Sequence, residues 1–182
     1  MPARNVVGFA GYFEPPFHHD HVVVEYWDGR RWVLTDPELT ARSFAFDVRD
    51  MSRGVEAGFQ TAAQVWQGYR SGRLDPDQYG VAPDLPLRGP DFIAAYVVFQ
   101  VAHRYGDKLL LWDDWGELPT PEALDELAAL FERADAGEVA AEAALSERYR
   151  VDDRLHPGAT VTRHSPYGYP PVTDLLKRVG RG

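Results

Sequence analysis

The chain has 182 residues, of which 45% are hydrophobic and 13% aromatic, enough for one folded domain with a substantial core. Its formal net charge of -9 disfavours nucleic acid as a partner, because a phosphate backbone would be repelled. The absence of cysteine excludes disulfides, thiolate metal sites and cysteine nucleophiles from these residues.

No apolar run is long enough to cross a bilayer, and the N-terminus does not resemble a signal peptide. We therefore expect a cytoplasmic protein that does not bind membranes. The basic residues are nearly all arginine, with Lys108 and Lys177 as the lysines, a usage typical of a high-GC bacterial source.

The first predicted elements are strands. Residues 5–13 (NVVGFAGYF) are apolar, β-branched and aromatic, which is typical of a buried strand, and residues 14–17 (EPPF) break it into a loop. Two further strand-like runs, residues 21–27 and 30–36, are joined by Asp28-Gly29. This pattern predicts a β-hairpin with a two-residue turn.

Helices are predicted along the rest of the chain. Thr120-Pro121-Glu122 supplies an N-cap, a first-turn proline and an acid at the positive end of the helix dipole. Gly106 is expected to end a buried helix. The predicted helices cover residues 55–69, 92–105, 121–134, 138–149 and 172–179, with loops rich in proline over residues 75–90 and 155–171.

The predicted turn places a histidine beside a carboxylate. If Asp28 and Gly29 form the turn, His21 lies directly opposite Asp36 on the same face of the hairpin. Such a carboxylate can hold one imidazole nitrogen, set the tautomer and stabilise the imidazolium. A longer turn would shift this register, and a cross-strand ion pair that only closes the hairpin is the alternative reading.

Residues 21–37 (HVVVEYWDGRRWVLTDP) resemble the transglutaminase-like core of papain type, in which H-x-W-V-E-x-W-D-G-x-x-W-x-x-x-D-P carries the catalytic histidine and aspartate. GFAGYF resembles the preceding strand of that family, and VWQGYRSGRLDPDQYGV and LLLWDDWGEL resemble the downstream region of its bacterial members. The resemblance covers the chain to about Leu118. It implies catalytic roles for His21 and Asp36.

The chain departs from that family at two points. Val23 stands where the family has a tryptophan that often lines the active site. The family's nucleophilic cysteine lies on a helix upstream of the first strand, where this chain has only Met1 to Arg4. The resemblance thus implies a shortened form whose sheet has an uncovered apolar face, filled by a second chain, by self-association or by the C-terminal tail.

The fold class expected is α/β (α+β): a partial transglutaminase-like core over residues 1–118, with a small antiparallel sheet, and a helical C-terminal extension over residues 119–182 packed on the same domain. The candidate catalytic residues are His21 and Asp36. Candidate substrate-binding residues on the same strands are Tyr12, His19 and Glu25.

We expect the other polar clusters in the sequence to have mainly structural roles. His19, His21 and Asp36 could form a two-histidine, one-carboxylate metal site, or His18 and Asp20 could supply an H-x-D pair to a non-haem iron centre. No third ligand is identifiable and a solvated loop explains His18 and His19 as well, so neither a metal nor another cofactor is expected. Trp112-Asp113-Asp114-Trp115 is read as two core anchors with capping acids, with acid/base work as the alternative. Arg30 and Arg31 are expected to face solvent or a partner. No activated serine and no phosphate-binding glycine loop is present.

Three functions remain open from the sequence. The first is an enzyme of bacterial specialised metabolism that uses the His/Asp pair for ring closure, elimination or condensation of a small amine-bearing substrate, completed by a partner chain. The second is a pseudoenzyme that docks a partner through its sheet. The third is one subunit of a split cysteine amidase or acyltransferase.

Overall fold

The computed structural model describes residues 1–39, 46–51, 53, 58–107, 113–114, 117–156 and 162–163. Within these residues the chain has an α+β fold, as the sequence predicts. One mainly antiparallel sheet has the strand order β3-β2-β1-β4, and a short fifth strand pairs in parallel with the beginning of β2. These strands are β1 (Ala3–Glu14), β2 (Phe17–Trp27), β3 (Trp32–Thr35), β4 (Phe59–Thr61) and β5 (Tyr79–Gly80).

Four α-helices lie within the described part of the chain, together with two short 3-10 helices at Pro76–Gln78 and Asp153–Leu155 and a second, two-stranded sheet. The α-helices are α1 (Ala62–Arg70), α2 (Pro90–Arg104), α3 (Pro121–Asp135) and α4 (Val139–Val151). The small sheet pairs β6 (Asp113–Asp114) with β7 (Thr162–Arg163). None of these helices is long and apolar enough to span a membrane.

The two faces of the main sheet carry different cores. Val7 and Phe9 of β1 point to the helical side, where they join a large cluster with residues of all four α-helices. The helices α3 and α4 thus pack into the same core as α1 and α2. The alternate β1 residues Val6 and Ala10 point to the opposite face, which we call the dyad face because His21 lies on it.

The dyad face is partly covered within this chain. Six of its apolar residues are buried, and the segment that follows β3 lies against them: Met51 bridges to Leu34, and Phe46 packs on the same cluster. The buried residues are Val6, Ala10, Val23, Leu34, Met51 and Phe59, each at most 6% exposed. Residues 46–51 of this chain therefore cover part of the face, whereas Phe13, Trp27 and Trp32 on β1, β2 and β3 are 37–43% exposed.

Most predicted helix boundaries are confirmed. α2 ends at Arg104, just before Gly106, whose φ of 99° suits a glycine. α3 begins at Pro121, with the Thr120 side chain accepting a hydrogen bond from the Ala123 amide. The predicted helix over 138–149 corresponds to α4. The helix predicted over 172–179 lies outside the described residues.

The predicted start of the first helix was wrong. Residue 55 lies outside the described residues, but the helix begins only at Ala62, because Thr61 and Gln64 form a capping box there. Phe59, which fitted the helical spacing, instead pairs with Ala10 as part of β4. The predicted loop over 75–90 contains a 3-10 helix and β5.

The register of the β2–β3 hairpin also differs from the prediction. Trp27 pairs with Trp32 rather than with Arg30, so the turn has four residues instead of two. The Asp28 carboxylate accepts hydrogen bonds from the backbone amides of Arg30 and Arg31 at 2.7 and 2.9 Å, which stabilises the longer turn. Because the register shifts by two residues, every side chain keeps its predicted face.

Candidate active site

His21 and Asp36 form a buried hydrogen-bonded pair on the dyad face. His21 Nε2 lies 2.6 Å from Asp36 Oδ2, although the observed register no longer places the two residues directly opposite each other. Asp36 follows the last residue of β3, and its backbone amide donates to the Val48 carbonyl at 2.9 Å. The covering segment therefore helps to hold the carboxylate against the imidazole.

The Asp36 carboxylate accepts two further hydrogen bonds. The Tyr12 hydroxyl donates to Oδ2 at 2.7 Å, and the Glu38 backbone amide donates to Oδ1 at 3.1 Å. Burial, and then the hydrogen bond to Asp36, raise the pKa of Tyr12 well above its ordinary value. Tyr12 thus remains a neutral donor at physiological pH. Three donors on one buried carboxylate match an ionised, acceptor-only Asp36.

The two members of the pair differ in solvent access. The Asp36 side chain is fully buried, whereas the His21 side chain keeps 10% of its surface exposed. His21 Nε2 faces a carboxylate, which can only accept a hydrogen bond. The neutral imidazole therefore carries its proton on Nε2 and donates it to Asp36. No described residue forms a hydrogen bond with His21 Nδ1, which leaves that lone pair for a proton from outside.

Aromatic rings surround the His21 imidazole. The Phe13 and Tyr12 rings stand nearly perpendicular to it, with centroid distances of 5.1 and 6.3 Å. Phe13 is 43% exposed, so it forms part of the outer surface at this position. Simple alternation along β1 would place Phe13 on the helical side. A register irregularity between Ala10 and Glu14 turns it to the dyad face.

Gly8 makes room beside the pair. It lies opposite His21 in the β1–β2 ladder, and a Cβ at this position would be 2.8 Å from the Phe59 ring and 2.1 Å from the Gln60 carbonyl oxygen. A side chain there would displace β4 or its phenylalanine. Neither Gly8 nor Phe13 was recognised from the sequence. The contact of Phe13 with His21 depends on the strand irregularity between Ala10 and Glu14, and the residue pattern does not predict that irregularity.

The predicted substrate-binding residues fall into different surroundings. Tyr12 contacts Asp36 directly, as described above. His19 lies two residues from His21 on the same face of β2, with Nδ1 2.9 Å from the Val81 carbonyl. Glu25 lies four residues from His21, roughly 13 Å along the strand, and its carboxylate is bound by Arg4 and Arg53.

Glu25 belongs to a buried network that ties the sheet to the helices. Arg4 and Arg53 each bridge Glu25 to Asp135 at the end of α3, and Arg104 of α2 also contacts Asp135, at 2.8 Å. Glu25 is 2% exposed. These contacts give its carboxylate a structural role and leave it little surface for a ligand.

The histidine cluster is divided between the two faces of the sheet. His18 lies on the helical side, stacked on Tyr79 at 4.5 Å, and burial followed by the adjacent His19 lowers the pKa of His18. Asp20 lies on that side too and accepts a hydrogen bond from Tyr96. Over the described ranges, no three His, Asp or Glu side chains are grouped to hold a metal ion.

The other clusters singled out in the sequence lie away from the pair or outside the described residues. Arg31 forms an exposed ion pair with Asp50 near the hairpin turn, which agrees with a solvent-facing position. Trp112 and Trp115 lie outside the described residues. The backbone of residues 113–114 forms β6, which pairs with β7.

Comparison with known proteins adds no relative: no family model, no curated protein and no solved structure matches the chain. The class that the fold and site define is therefore an α+β protein with a buried, hydrogen-bonded His–Asp–Tyr cluster on one sheet face. The transglutaminase-like relationship remains a prediction from the residues around His21 and Asp36.

Proposed function

We propose that the chain is an enzyme in which His21 transfers a proton at Nδ1 while Asp36 holds Nε2. The observation that carries the proposal is the 2.6 Å contact between a partly exposed imidazole and a fully buried carboxylate. This pairing sets the tautomer that leaves Nδ1 basic and stabilises the imidazolium once it forms. Tyr12 keeps Asp36 in position through the second hydrogen bond to Oδ2.

The chemistry proposed is non-covalent acid/base catalysis on a small amine-bearing substrate, as ring closure, elimination or condensation. These 182 residues contain no cysteine, so the pair cannot activate a thiol of this chain. Proton removal from a C–H or N–H group needs only the base, its orienting carboxylate and a substrate held within hydrogen-bond reach. The resemblance to the transglutaminase-like core supports a catalytic use of the pair.

The sharpest test uses Asp36→Asn. An asparagine amide nitrogen donates to His21 Nε2, which drives the imidazole proton to Nδ1 and removes the base with little change in shape. Wild-type protein is incubated with a collection of amine-bearing metabolites, and new products are sought by mass spectrometry. We expect each product to be lost in Asp36→Asn and His21→Gln, both confirmed as folded by circular dichroism. Wild-type product formation in both variants overturns the proposal.

The proposal keeps a second chain as a contributor to the substrate-binding surface, as predicted from the sequence. The burial of six apolar side chains on the dyad face favours this enzyme proposal over docking through a bare sheet. Native mass spectrometry of protein purified gently from its host tests the second chain. A stoichiometric partner supports it, and a monomer that forms product unaided rules it out.

A further inference from the structure

A second histidine lies beside His21 on the dyad face. His19 and His21 are two positions apart on β2, with Asp20 between them, which places their Cα atoms roughly 6–7 Å apart with both side chains on one face. The Phe13 ring contacts both imidazoles in nearly perpendicular geometry, with centroid distances of 6.1 Å to His19 and 5.1 Å to His21. One exposed aromatic ring therefore joins the two histidines into a continuous surface.

The two imidazoles are held by opposite nitrogens. His21 is held through Nε2 by Asp36, whereas His19 is held through Nδ1 by the Val81 carbonyl at 2.9 Å. A carbonyl oxygen only accepts, so His19 Nδ1 must carry a proton in both charge states. The atom of His19 that gains and loses a proton is then Nε2. Each ring is thus fixed at one nitrogen and exchanges protons at the other.

His19 also has its own carboxylate. Glu14 Oε2 lies 3.4 Å from His19 Nε2, and the Glu14 side chain is 68% exposed, against complete burial of Asp36. The titratable groups around His19 are Glu14 on β1 and both His18 and His21 on β2, while the segment after β5 contributes the Val81 carbonyl. The Glu14 carboxylate is a partner for an N–H group at His19 Nε2, and because it is exposed it can move aside for a substrate.

On the basis of the proposed function, we infer that His19 is a second catalytic residue, the general acid that works opposite the His21 base. His21 Nδ1 removes a proton from a C–H or N–H group of the substrate. The two electrons of the broken bond then form a new double or triple bond within the substrate. The bond to the leaving atom breaks, and the leaving atom takes the proton from His19 Nε2. Proton exchange with water then restores both rings. The substrate class is a small molecule that loses H–X in a proton-coupled elimination.

Benzisoxazole and its ring-nitrated derivative are suitable probes. Both undergo this elimination, but they differ in how strongly a general acid accelerates it. A base removes the ring C–H proton, the electron pair forms a nitrile, the N–O bond breaks and a phenolate departs. The nitro group stabilises the phenolate, so the nitrated probe needs little help from an acid, while the parent compound needs more. Comparing the two rates separates the acid from the base.

The experiment measures kcat/KM of the full chain on both probes across pH. His19→Gln is expected to lower the rate on benzisoxazole by about tenfold or more and the rate on the nitrated probe by less than about threefold. The pH profile of the benzisoxazole rate should also differ between His19→Gln and wild type, while the profile on the nitrated probe should not. Glu14→Gln changes a side chain that is 68% exposed and should lower the benzisoxazole rate in the same selective way.

Glu147→Gln is the matched control, since Glu147 on α4 is also mostly exposed and pairs with Arg150. It should behave as wild type on both probes. Equal effects of His19→Gln on the two probes, or a Glu14→Gln profile identical to that of Glu147→Gln, overturn the role of His19. A wild-type chain that accelerates neither probe, or that keeps its rate in His21→Gln, instead overturns the proposed function and the acid with it.

Discussion

Tyr12 and His21 donate to the same oxygen of Asp36, at 2.7 and 2.6 Å. The two side chains come from neighbouring strands, and the oxygen they share belongs to a carboxylate without solvent access. Such an oxygen cannot exchange a lost donor for water, so each donor is coupled to the other through Asp36. The position of the imidazole therefore depends on a tyrosine that is nine residues away in sequence.

Loss of the Tyr12 hydroxyl should destabilise the fold measurably. A hydrogen bond to a buried charged group contributes about 1.5–3 kcal/mol, so Tyr12→Phe is expected to lower the free energy of unfolding by that amount. Urea denaturation followed by circular dichroism measures the change. Tyr69→Phe is the control, because no described residue forms a hydrogen bond with the Tyr69 hydroxyl. Equal stabilities of the two variants would show that the Tyr12 contact contributes nothing.

Glu25 should prove structural rather than substrate-binding. Glu25→Gln removes the charged acceptor from two partly buried arginines, which keep Asp135 as a partner, and is expected to cost about 1.5–3 kcal/mol of unfolding free energy. Where the variant is folded at low temperature, its rate on the isoxazole probes should match that of wild type. Glu147→Gln serves as an exposed control with stability close to wild type. If the Glu25→Gln protein is as stable as wild type but has a higher KM for the benzisoxazole probes, Glu25 is a substrate-binding residue and the structural role is wrong.

Because of Tyr79, the free energy of unfolding should depend on pH between 10.0 and about 12. Burial raises the pKa of Tyr79 to about 12 from an ordinary value of 10.0. The folded state thus keeps the proton that the unfolded state loses, and the resulting stabilisation is complete below pH 10.0 and declines as pH rises towards 12. Relative to Tyr79→Phe, the unfolding free energy of wild type should fall by at most about 1.4 kcal/mol per pH unit in that interval. A constant difference across it would contradict burial of the hydroxyl.

The parts of the fold that sequence could predict are those decided by local chemistry. Thr120-Pro121 begins α3 and Gly106 follows the end of α2, because caps and positive φ angles depend on a few adjacent residues. The start of α1 was missed because Phe59 suits a helix by spacing but pairs with Ala10 across the sheet. Such strand pairing depends on residues far away in sequence, so it cannot be predicted from the secondary-structure propensity of the local segment.

The site was predictable to the extent that strand alternation controls it. His21 and Asp36 share a face in either register, since an error of two residues keeps the alternation, and the predicted neighbours meet despite the wrong turn. The contact of Phe13 with His21 was not predictable, because the irregularity before Glu14 reverses the expected face. The coverage of the dyad face by residues 46–51 depends on long-range packing around Leu34.

The central claim is that His21 takes up protons at Nδ1 while Asp36 holds Nε2. Nitrogen-15 NMR of the histidine side chains, recorded across pH on wild type and Asp36→Asn, tests it most directly. For neutral His21 we predict a proton on Nε2 in wild type and on Nδ1 in Asp36→Asn, with the wild-type imidazole protonating at Nδ1 as pH falls. A wild-type His21 whose neutral form carries its proton on Nδ1 would contradict the account, since no base would then face the substrate.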